Sequence, residues 1–332
     1  MRVFLAGGSG AIGRRLVPML VAAGHDVVAT TRNSAKLAEL RALGAEPVIM
    51  NGLDATSVGE AVARARPDVI IHQMTALAGA SDTRHFDRVF ATTNALRREG
   101  TDNLLAAAAA AGVRRFIAQS YTSWTTGRSG GPIKTEEDPL DPDPPAALSQ
   151  TLAAVKYVEQ AVRSAPLEGI VLRYGNFYGR GVSEELVALV RQRRLPIIGA
   201  GRGIWSFIHI DDAAAATVAA LTTGAPGVYN IVDDEPATVA EWLPYLARVV
   251  GAKPPRRVPV WLARLLAGEA AVALMTRGCG SSNVKAKREL GWRPRWASWR
   301  EGFQYSFGEG RGAKQPESVR TRAGATHNGR SR

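Results

Sequence analysis

The sequence contains one cysteine, Cys279, among 332 residues. A single thiol forms no disulfide within the chain and no thiolate metal cluster, a usage typical of a reducing compartment. No apolar run approaches the ~20 residues that cross a bilayer, and Arg2 leads directly into a predicted strand rather than into the apolar core of a signal peptide. We therefore expect a cytoplasmic protein with no membrane partner.

Acidic and aromatic residues are also scarce. There are 30 Asp and Glu against 42 Lys and Arg, a formal net charge of +12, and aromatic residues make up 7 % of the chain. Segment 308–332 has six basic residues, two acidic residues and no aromatic residue, so we predict a disordered basic tail. The remaining charge favours an anionic ligand, for which a phosphate-bearing cofactor is sufficient, and arginines do not interleave with aromatics as on a nucleic-acid surface. We expect no nucleic-acid partner.

Hydrophobic residues make up 45 % of the chain, and their pattern alternates between short strands and amphipathic helices. This alternation predicts right-handed crossovers and a parallel sheet with ligands at the carboxyl ends of its strands. The predicted strands are 3–6, 25–31, 46–50, 68–72, 115–120, 169–173, 205–209 and 228–231. The first predicted helix begins near residue 11. The other predicted helices span 35–43, 57–64, 86–111, 146–163, 184–193, 213–222 and 239–251.

The predicted fold class is α/β, a Rossmann-type doubly wound parallel sheet with a smaller C-terminal substrate-binding domain. We predict a dinucleotide-binding domain over 1–175 and a substrate-binding domain over 176–307 that is interleaved with the end of the sheet. Segment 126–145 is rich in glycine, proline and acidic residues. A loop of this length is either a lid beside the site or a solvated surface excursion.

A glycine-rich turn follows the first predicted strand. Gly7, Gly10 and Gly13 have the spacing in which the first glycine turns the chain, the second lets backbone amides approach a pyrophosphate and the third lets the helix pack on the strand. Ala11 and Ile12 open the helix at this point. Because the turn lies between an apolar strand and an amphipathic helix, it predicts a dinucleotide site.

Six segments resemble the extended short-chain dehydrogenase/reductase family, which includes the sugar-nucleotide epimerases and dehydratases. They are GGSGAIG at 7–13, DVIIHQMTAL at 68–77, GVRRFIAQS at 112–120, LRYGNFYGRG at 172–181, WSFIHIDDAA at 205–214 and KAKRELGWRPR at 285–295. The resemblance extends over about residues 1–303. It implies a Rossmann domain, a nicotinamide cofactor and a small C-terminal domain that clamps a small-molecule substrate.

The cofactor is predicted from the end of the second strand. NAD binders usually place a carboxylate there for the ribose 2′-hydroxyl, whereas a 2′-phosphate needs cations. This sequence has Thr30, Thr31 and Arg32, with Lys36 one helical turn later. Since Arg32 offers a forked contact to phosphate, we predict NADP(H).

The resemblance also places residues along the cofactor. It implies Leu53 near the adenine and Met74 and Thr75 beside the middle of the cofactor, with the nicotinamide end near Gln119, Ser120, Gly175, Asn176 and Phe177. Trp124, Phe177 and Tyr178 either line a flat apolar pocket for an aromatic substrate or pack in the core.

The family's catalytic tyrosine, in YxxxK, is missing. Lys156 fits the lysine of that motif and would hold the nicotinamide ribose, but Leu152 stands in the tyrosine position. If Glu159 anchors the register, the positions fall on Thr151 and Val155, and neither register supplies a tyrosine. We name Lys156, Tyr121 and Thr122 as the candidate catalytic residues, because the family's catalytic Ser or Thr position falls on Tyr121.

Three functions remain open at this stage. The first is an NADPH-dependent ketoreductase of an aromatic or polycyclic secondary metabolite, similar to tyrosine-lacking family members that act on angucyclinone-type polyketides. Its reaction would be substrate-assisted, with Gln119, Tyr121 and Thr122 positioning the ring. The second is a sugar-nucleotide epimerase or dehydratase, which needs a base that the sequence lacks. The third is a sensor or scaffold that binds NADP(H) without turnover.

The remaining polar residues carry no further prediction of chemistry. His72 and His209 are interpreted as core histidines, and no spacing of His, Asp or Glu indicates a metal site. The sequence leaves the oligomeric state open.

Overall fold

The structure is a computed structural model that describes residues 1–77 and 83–308. A seven-stranded parallel sheet lies at its centre, in the order β3-β2-β1-β4-β5-β6-β7. Its strands are β1 Arg2–Ala6, β2 Asp26–Thr31, β3 Glu46–Ile49, β4 Val69–His72, β5 Arg115–Tyr121, β6 Glu168–Tyr174 and β7 Gly227–Ile231. The order reverses at β1 and β4, the switch point where such sheets bind nucleotides. This confirms the predicted fold class.

Helices cover both faces of the sheet and build the C-terminal part. They are α1 Gly13–Ala22, α2 Leu37–Ala42, α3 Ala55–Ala65, α4 Phe86–Val89, α5 Ala91–Ala95, α6 Thr101–Ala110, α7 Ser149–Ser164, α8 Glu184–Arg191, α9 Ile210–Ala219, α10 Val239–Val249, α11 Val260–Arg277, α12 Val284–Glu289 and α13 Trp299–Phe307. Short 3₁₀ turns lie at Ser34–Lys36, Thr83–His85 and Ala146–Leu148. Within the described residues, no helix is long and apolar enough to span a membrane.

The alternation of side chains along β1 shows why both faces must be covered. Val3 and Leu5 enter the core on one face, and Phe4 and Ala6 enter the core on the other, because successive residues of a strand point in opposite directions. All four are fully buried. The sheet is therefore a middle layer, and only the ends of its strands remain for a ligand.

The predicted helix over 86–111 is wrong as a single element. It is divided into α4, α5, a π-helical turn at Leu96–Gly100 and α6. Side chains here form long-range bonds: Thr93 Oγ1 accepts from Ala76 N at 3.0 Å, and Asn94 Nδ2 donates to Thr151 Oγ1 at 3.0 Å. Tertiary contacts therefore override the uniform helical propensity of the segment.

The C-terminal part contains elements that the sequence pattern did not reveal. α11, α12 and α13 follow the last predicted helix, and α11 is interrupted at Gly268, where φ is +85°. Besides the two cores on the faces of the sheet, a third core forms here. Its aromatic side chains include Tyr178, Phe207, Trp242, Trp299 and Phe303. Apart from Gly308, the predicted tail lies outside the described residues.

Segment 126–145 is tied to the C-terminal part of the chain. Ile133–Lys134 pairs in parallel with Gly280–Ser281, and Lys134 is buried. Glu136 Oε1 accepts from the backbone N–H of Asn230 at 2.7 Å. These contacts tie Lys134 and Glu136 to the protein, while residues 128–133 of the segment are exposed.

Candidate functional site

The glycine turn after β1 is shaped so that only hydrogen fits at its glycines. Gly7 has φ of +95°, and a Cβ there would lie 2.8 Å from the carbonyl oxygen of Gln73. A Cβ on Gly13 would lie 2.4 Å from Gly7 O, while Gly10 N donates to Gly7 O at 3.1 Å. α1 begins at Gly13, and Ile12 before it provides no side-chain cap. The amides at this helix N-terminus therefore lack a side-chain cap, as a phosphate site requires.

A cavity of about 220 Å³ extends from this turn across the ends of β1, β2 and β4. Its walls include the predicted residues Gly7, Gly10, Arg32, Met74 and Thr75. The prediction missed further lining residues, which are Ser9, Thr30, Thr31, Asn33, Met50, Gly52, Gln73 and Leu96. Gly52, rather than the predicted Leu53, lines the cavity, because the Leu53 side chain packs against the core under the sheet.

The two predicted phosphate-binding cations differ in their surroundings. Arg32 is exposed at the cavity wall and forms no ion pair or side-chain hydrogen bond with the described part of the chain. Lys36 does not line the cavity, and its Nζ pairs with Glu39 at 2.9 Å. None of the described lining residues is acidic. Among its described lining residues, the cavity thus has one free cation, Arg32.

A second cavity, of about 310 Å³, adjoins the first at the carboxyl ends of β5 and β6. Gln73, in the wall of the first cavity, donates to the hydroxyl of Tyr174, in the wall of the second, at 3.0 Å. The second cavity is lined by Leu77, Phe86, Phe90, Arg97, Gln119, Ser120, Tyr121, Ser123, Trp124, Thr151, Val155, Tyr174, Gly175, Asn176, Phe177, Leu186, Trp205, Phe207 and Leu274. No residue of segment 126–145 lines this cavity, so the segment does not form a lid over it.

Aromatic rings form much of the wall of the second cavity. Phe86 stacks on Phe90 with centroids 4.2 Å apart, and Trp124 meets Phe86 edge-on at 5.9 Å. Phe177 also lines the cavity, whereas Tyr178 is fully buried in the third core. Trp124 and Phe177 line this cavity, and so do Phe86 and Phe90, which the sequence did not indicate.

Tyr121 lies in this wall, but its hydroxyl is a weak acid. Its O–H donates to Asn176 Oδ1 at 2.8 Å. Burial of the phenol raises the pKa of Tyr121 far above its usual range, and the nearby Arg97 charge only partly opposes that effect. A proton on this hydroxyl is held tightly at neutral pH.

The other hydroxyls of the wall are also committed to partners. Ser120 Oγ donates to Glu159 Oε1 at 2.7 Å, and Thr151 Oγ1 donates to Asp87 Oδ1 at 2.6 Å. Burial raises the pKa of Tyr174 to about 12, and no carboxylate is among the described lining residues. The described lining residues therefore include no carboxyl or imidazole group, and their two phenols are weaker acids than usual.

The helix register settles the position of Lys156. Thr151 and Val155, four residues apart on α7, both line the second cavity. Lys156 is rotated by about 100° from Val155, lines a separate cavity with Glu136 and Arg173, and donates from Nζ to Asp141 O at 2.6 Å. The structure does not bring Lys156 to the nicotinamide end, contrary to the prediction.

Thr122 also lies away from the cavity. Its side chain is buried and its Oγ1 lies 2.6 Å from Ser281 Oγ. Adjacent residues of an extended chain point in opposite directions, so Tyr121 and Thr122 do not face the cavity together. Thr122 therefore does not reach a ring in this cavity, contrary to the prediction.

The two histidines are core residues, as interpreted from the sequence. His72 Nδ1 accepts from Met74 N at 3.2 Å, and desolvation lowers the pKa of His72 to about 4. The ring of His209 packs on Trp296 with centroids 3.8 Å apart, and desolvation lowers its pKa to about 4 as well. Neither histidine lines either cavity.

Sequence reasoning missed the charged group beneath the second cavity. Glu159 is buried and bonded to Arg173 at two points, Nε to Oε1 at 2.8 Å and Nη2 to Oε2 at 2.6 Å. Arg97 lines the cavity itself from the π turn and is 6 % exposed. The available signal was spacing, since Arg97 lies four residues from both Thr93 and Thr101 on a buried helical face.

These features define a dinucleotide-binding α/β oxidoreductase, with a cofactor cleft at the switch point and an apolar cavity beside it. Residues 3–232 match the NAD dependent epimerase/dehydratase family, and the chain belongs to that family.

Two relatives and one solved structure are informative. A 3-diazoavenalumate denitrifying reductase of a Streptomyces species is 42 % identical over 308 residues, covering 91 % of this chain and 99 % of the relative. A 4-hydroxy-2-methyl-3-oxo-4-farnesyl-3,4-dihydroquinoline-1-oxide ketoreductase of Stigmatella aurantiaca is 28 % identical over 89 % of this chain and 92 % of its own length. The UDP-glucose 4-epimerase of Thermus thermophilus, solved in complex with NAD, is similar with a TM-score of 0.72, 25 % identity and coverage of 92 % and 98 %. The protein is therefore a nicotinamide-dinucleotide-dependent oxidoreductase.

Proposed function

We propose that the protein is an NADPH-dependent reductase that replaces the diazo group of an aromatic secondary metabolite with hydrogen. The observation that carries this proposal is the absence of a usable acid among the described residues of the second cavity. Reduction of an ordinary ketone requires a proton donor or an equivalent hydrogen bond. Loss of N₂ from an aryl diazonium group on hydride attack requires neither.

The reaction balances without a proton from the enzyme. When bound, the reduced nicotinamide supplies a hydride. In the aryl diazonium form of the substrate, a new C–H bond forms from the hydride pair, and the C–N bond breaks with its electron pair leaving on N₂. The positive charge of the diazonium disappears in the same process. The Streptomyces relative supports this reading, because its name describes a denitrifying reductase of a diazo compound.

The residues of the first cavity fit the cofactor. Gly7, Gly10 and the uncapped start of α1 would hold the pyrophosphate, and Arg32 would pair with the 2′-phosphate of NADPH. Gly175 and Asn176 would lie at the nicotinamide end, where Asn176 Nδ2 already donates to Ser206 O at 3.1 Å.

The residues of the second cavity fit an aromatic ring. Phe86, Phe90, Trp124 and Phe177 would hold the ring by contact with their apolar faces and exclude water from it. Tyr121, fixed by its bond to Asn176, would position the ring and not donate a proton.

The ketoreductase of an aromatic or polycyclic substrate is the second candidate. The Stigmatella relative favours it, because its name describes a ketoreductase. In that reaction a hydroxyl next to the substrate ketone would form an internal hydrogen bond and polarise the carbonyl, so that the enzyme again supplies no acid.

The test mixes the protein and NADPH with diazotised para-aminobenzoate, and in parallel with an ortho-hydroxyaryl ketone. NADPH oxidation, N₂ release and the arene product are measured, and samples without protein give the background. With NADPH deuterated on one face of the nicotinamide, we expect one face to deliver its deuterium to the ring carbon that carried nitrogen.

Stereospecific deuterium transfer with N₂ release supports diazo removal. Turnover of the hydroxyaryl ketone alone supports the second candidate. Rates equal to the background with both substrates would contradict the proposal.

A further inference from the structure

One positive charge in the second cavity is buried and has no ion-pair partner among the described residues. Arg97 is 6 % exposed, and its Nη1 is buried without a hydrogen-bond partner. The described part of the chain supplies no ion pair or side-chain hydrogen bond to this guanidinium. A guanidinium normally keeps its five donors satisfied when it leaves water.

The neighbouring acid does not neutralise Arg97. The carboxylate of Glu159 is occupied by two bonds to Arg173 and one from Ser120. Glu159 attracts Arg97 through space but forms no ion pair with it. These three charged groups, Arg97, Arg173 and Glu159, therefore retain a net charge of +1 at the wall of the cavity.

The charge persists at neutral pH. Desolvation lowers the pKa of Arg97 to about 10, and the negative charge of Glu159 partly opposes that effect. Because a buried and uncompensated charge is costly, the arrangement favours a ligand that brings a negative charge into the cavity.

The π turn gives Arg97 its position. Leu96 lines the cofactor cleft and Arg97, the next residue, lines the second cavity. The guanidinium thus lies in the substrate cavity close to its border with the cofactor cleft. Single π turns are often found at functional sites in helices.

We propose that Arg97 is a specificity-determining residue that binds the carboxylate of the aromatic substrate. This proposal rests on the proposed function for the location of the substrate, but not on which group of the substrate is reduced. The substrate class is then an aromatic acid, with its ring against Phe86, Phe90 and Trp124 and its carboxylate on the Arg97 fork.

The experiment uses the full chain saturated with NADP⁺ and two probes that cannot be reduced by loss of nitrogen, cinnamate and its uncharged analogue cinnamamide. Calorimetry measures both affinities. We expect the wild type to prefer cinnamate by about 10- to 150-fold, the range for a charge-assisted hydrogen bond. The preference should persist at high salt, because a buried pair is screened much less than the general surface charge.

Arg97→Met should abolish the preference and leave the affinities for cinnamamide and NADP⁺ within about threefold of wild type. Arg97→Lys retains the charge without the fork and should retain part of the preference, which keeps the test valid if the methionine variant fails to fold. Arg98→Met is the matched control from the same turn, and it should keep the full preference.

Equal affinities of the wild type for the two probes would overturn the proposal. So would an Arg97→Met protein that still prefers cinnamate, or one that loses NADP⁺ affinity by the same factor, since Arg97 would then hold the cofactor. None of these results depends on the diazo assay, so failure of the proposed function is recognised separately by the absence of N₂ release with stereospecific deuterium transfer.

Discussion

Replacing Arg32 by alanine tests the choice of cofactor most directly. Arg32 is the free cation in the described wall of the cofactor cleft, since Lys36 is paired with Glu39 and does not line it. A charge-assisted phosphate contact corresponds to about 10- to 150-fold in affinity. Because Arg32 is exposed and its charge is screened by salt, we expect about tenfold weaker NADPH binding at physiological ionic strength.

The assay is a titration of each protein with NADPH and with NADH, followed by nicotinamide fluorescence. Arg32→Ala should weaken NADPH and leave NADH within about twofold, and the NADPH effect should shrink as salt is raised. Lys36→Ala is the control, expected to change neither affinity by more than about twofold. Equal weakening of NADPH and NADH by Arg32→Ala, or no weakening of either, would refute the placement of the 2′-phosphate.

Three further predictions concern proton transfer, the helix register and pH. Tyr121→Phe should keep the single-turnover rate of hydride transfer within roughly tenfold, because it removes one hydrogen bond to Asn176. Loss of a general acid costs ~10²- to 10⁴-fold in rate. A thousandfold fall with intact NADPH affinity would make Tyr121 the acid. Lys156→Met should leave the dissociation constant of NADPH within about threefold, because Lys156 donates to Asp141 O away from the cofactor cleft; a tenfold rise would restore its predicted role. The pKa of His72 is lowered from 6.5 to about 4 in the folded protein, so the unfolded chain binds the proton more tightly. The contribution of neutral His72 to the free energy of unfolding is therefore complete above pH 6.5 and is lost as the pH falls toward 4. From pH 7 to 5 the loss is about 2 kcal/mol of unfolding free energy; urea titrations should show a smaller loss in His72→Asn, and parallel pH dependences would contradict the assigned cause.

The fold class was predictable because local patterns in this chain agree with the tertiary structure. Strand and helix periods alternate through the first half, and β1 with its glycine turn permits one arrangement of strand, turn and helix. The cofactor cleft follows from the same signals, since the carboxyl ends of parallel strands lie at one edge of the sheet. Arg32 was found in this way, whereas Met74 and Thr75 were implied by the family resemblance.

The sequence alone could not choose the register of α7. Lys156 and Val155 are adjacent in the chain, and either could face the cavity until β5 and β6 pack against the helix. Val155 lies in the cavity wall. Lys156 is rotated by about 100° around the helix from Val155 and therefore points away from the cavity. The sequence shows Leu152 four residues before Lys156, but it could not show which side chains line the cavity wall.

The sequence by itself thus determined the parallel sheet, the glycine turn and the place of Arg32 directly after β2. Only the tertiary structure decided the π turn at Leu96–Gly100, the aromatic wall and the unpaired Arg97 within it. The physical reason is the range of the interactions. Strand alternation and the close approach of Gly13 to Gly7 act between residues near each other in the chain. The setting of Arg97 instead depends on Glu159 and Arg173, which are more than sixty residues away and are joined to each other.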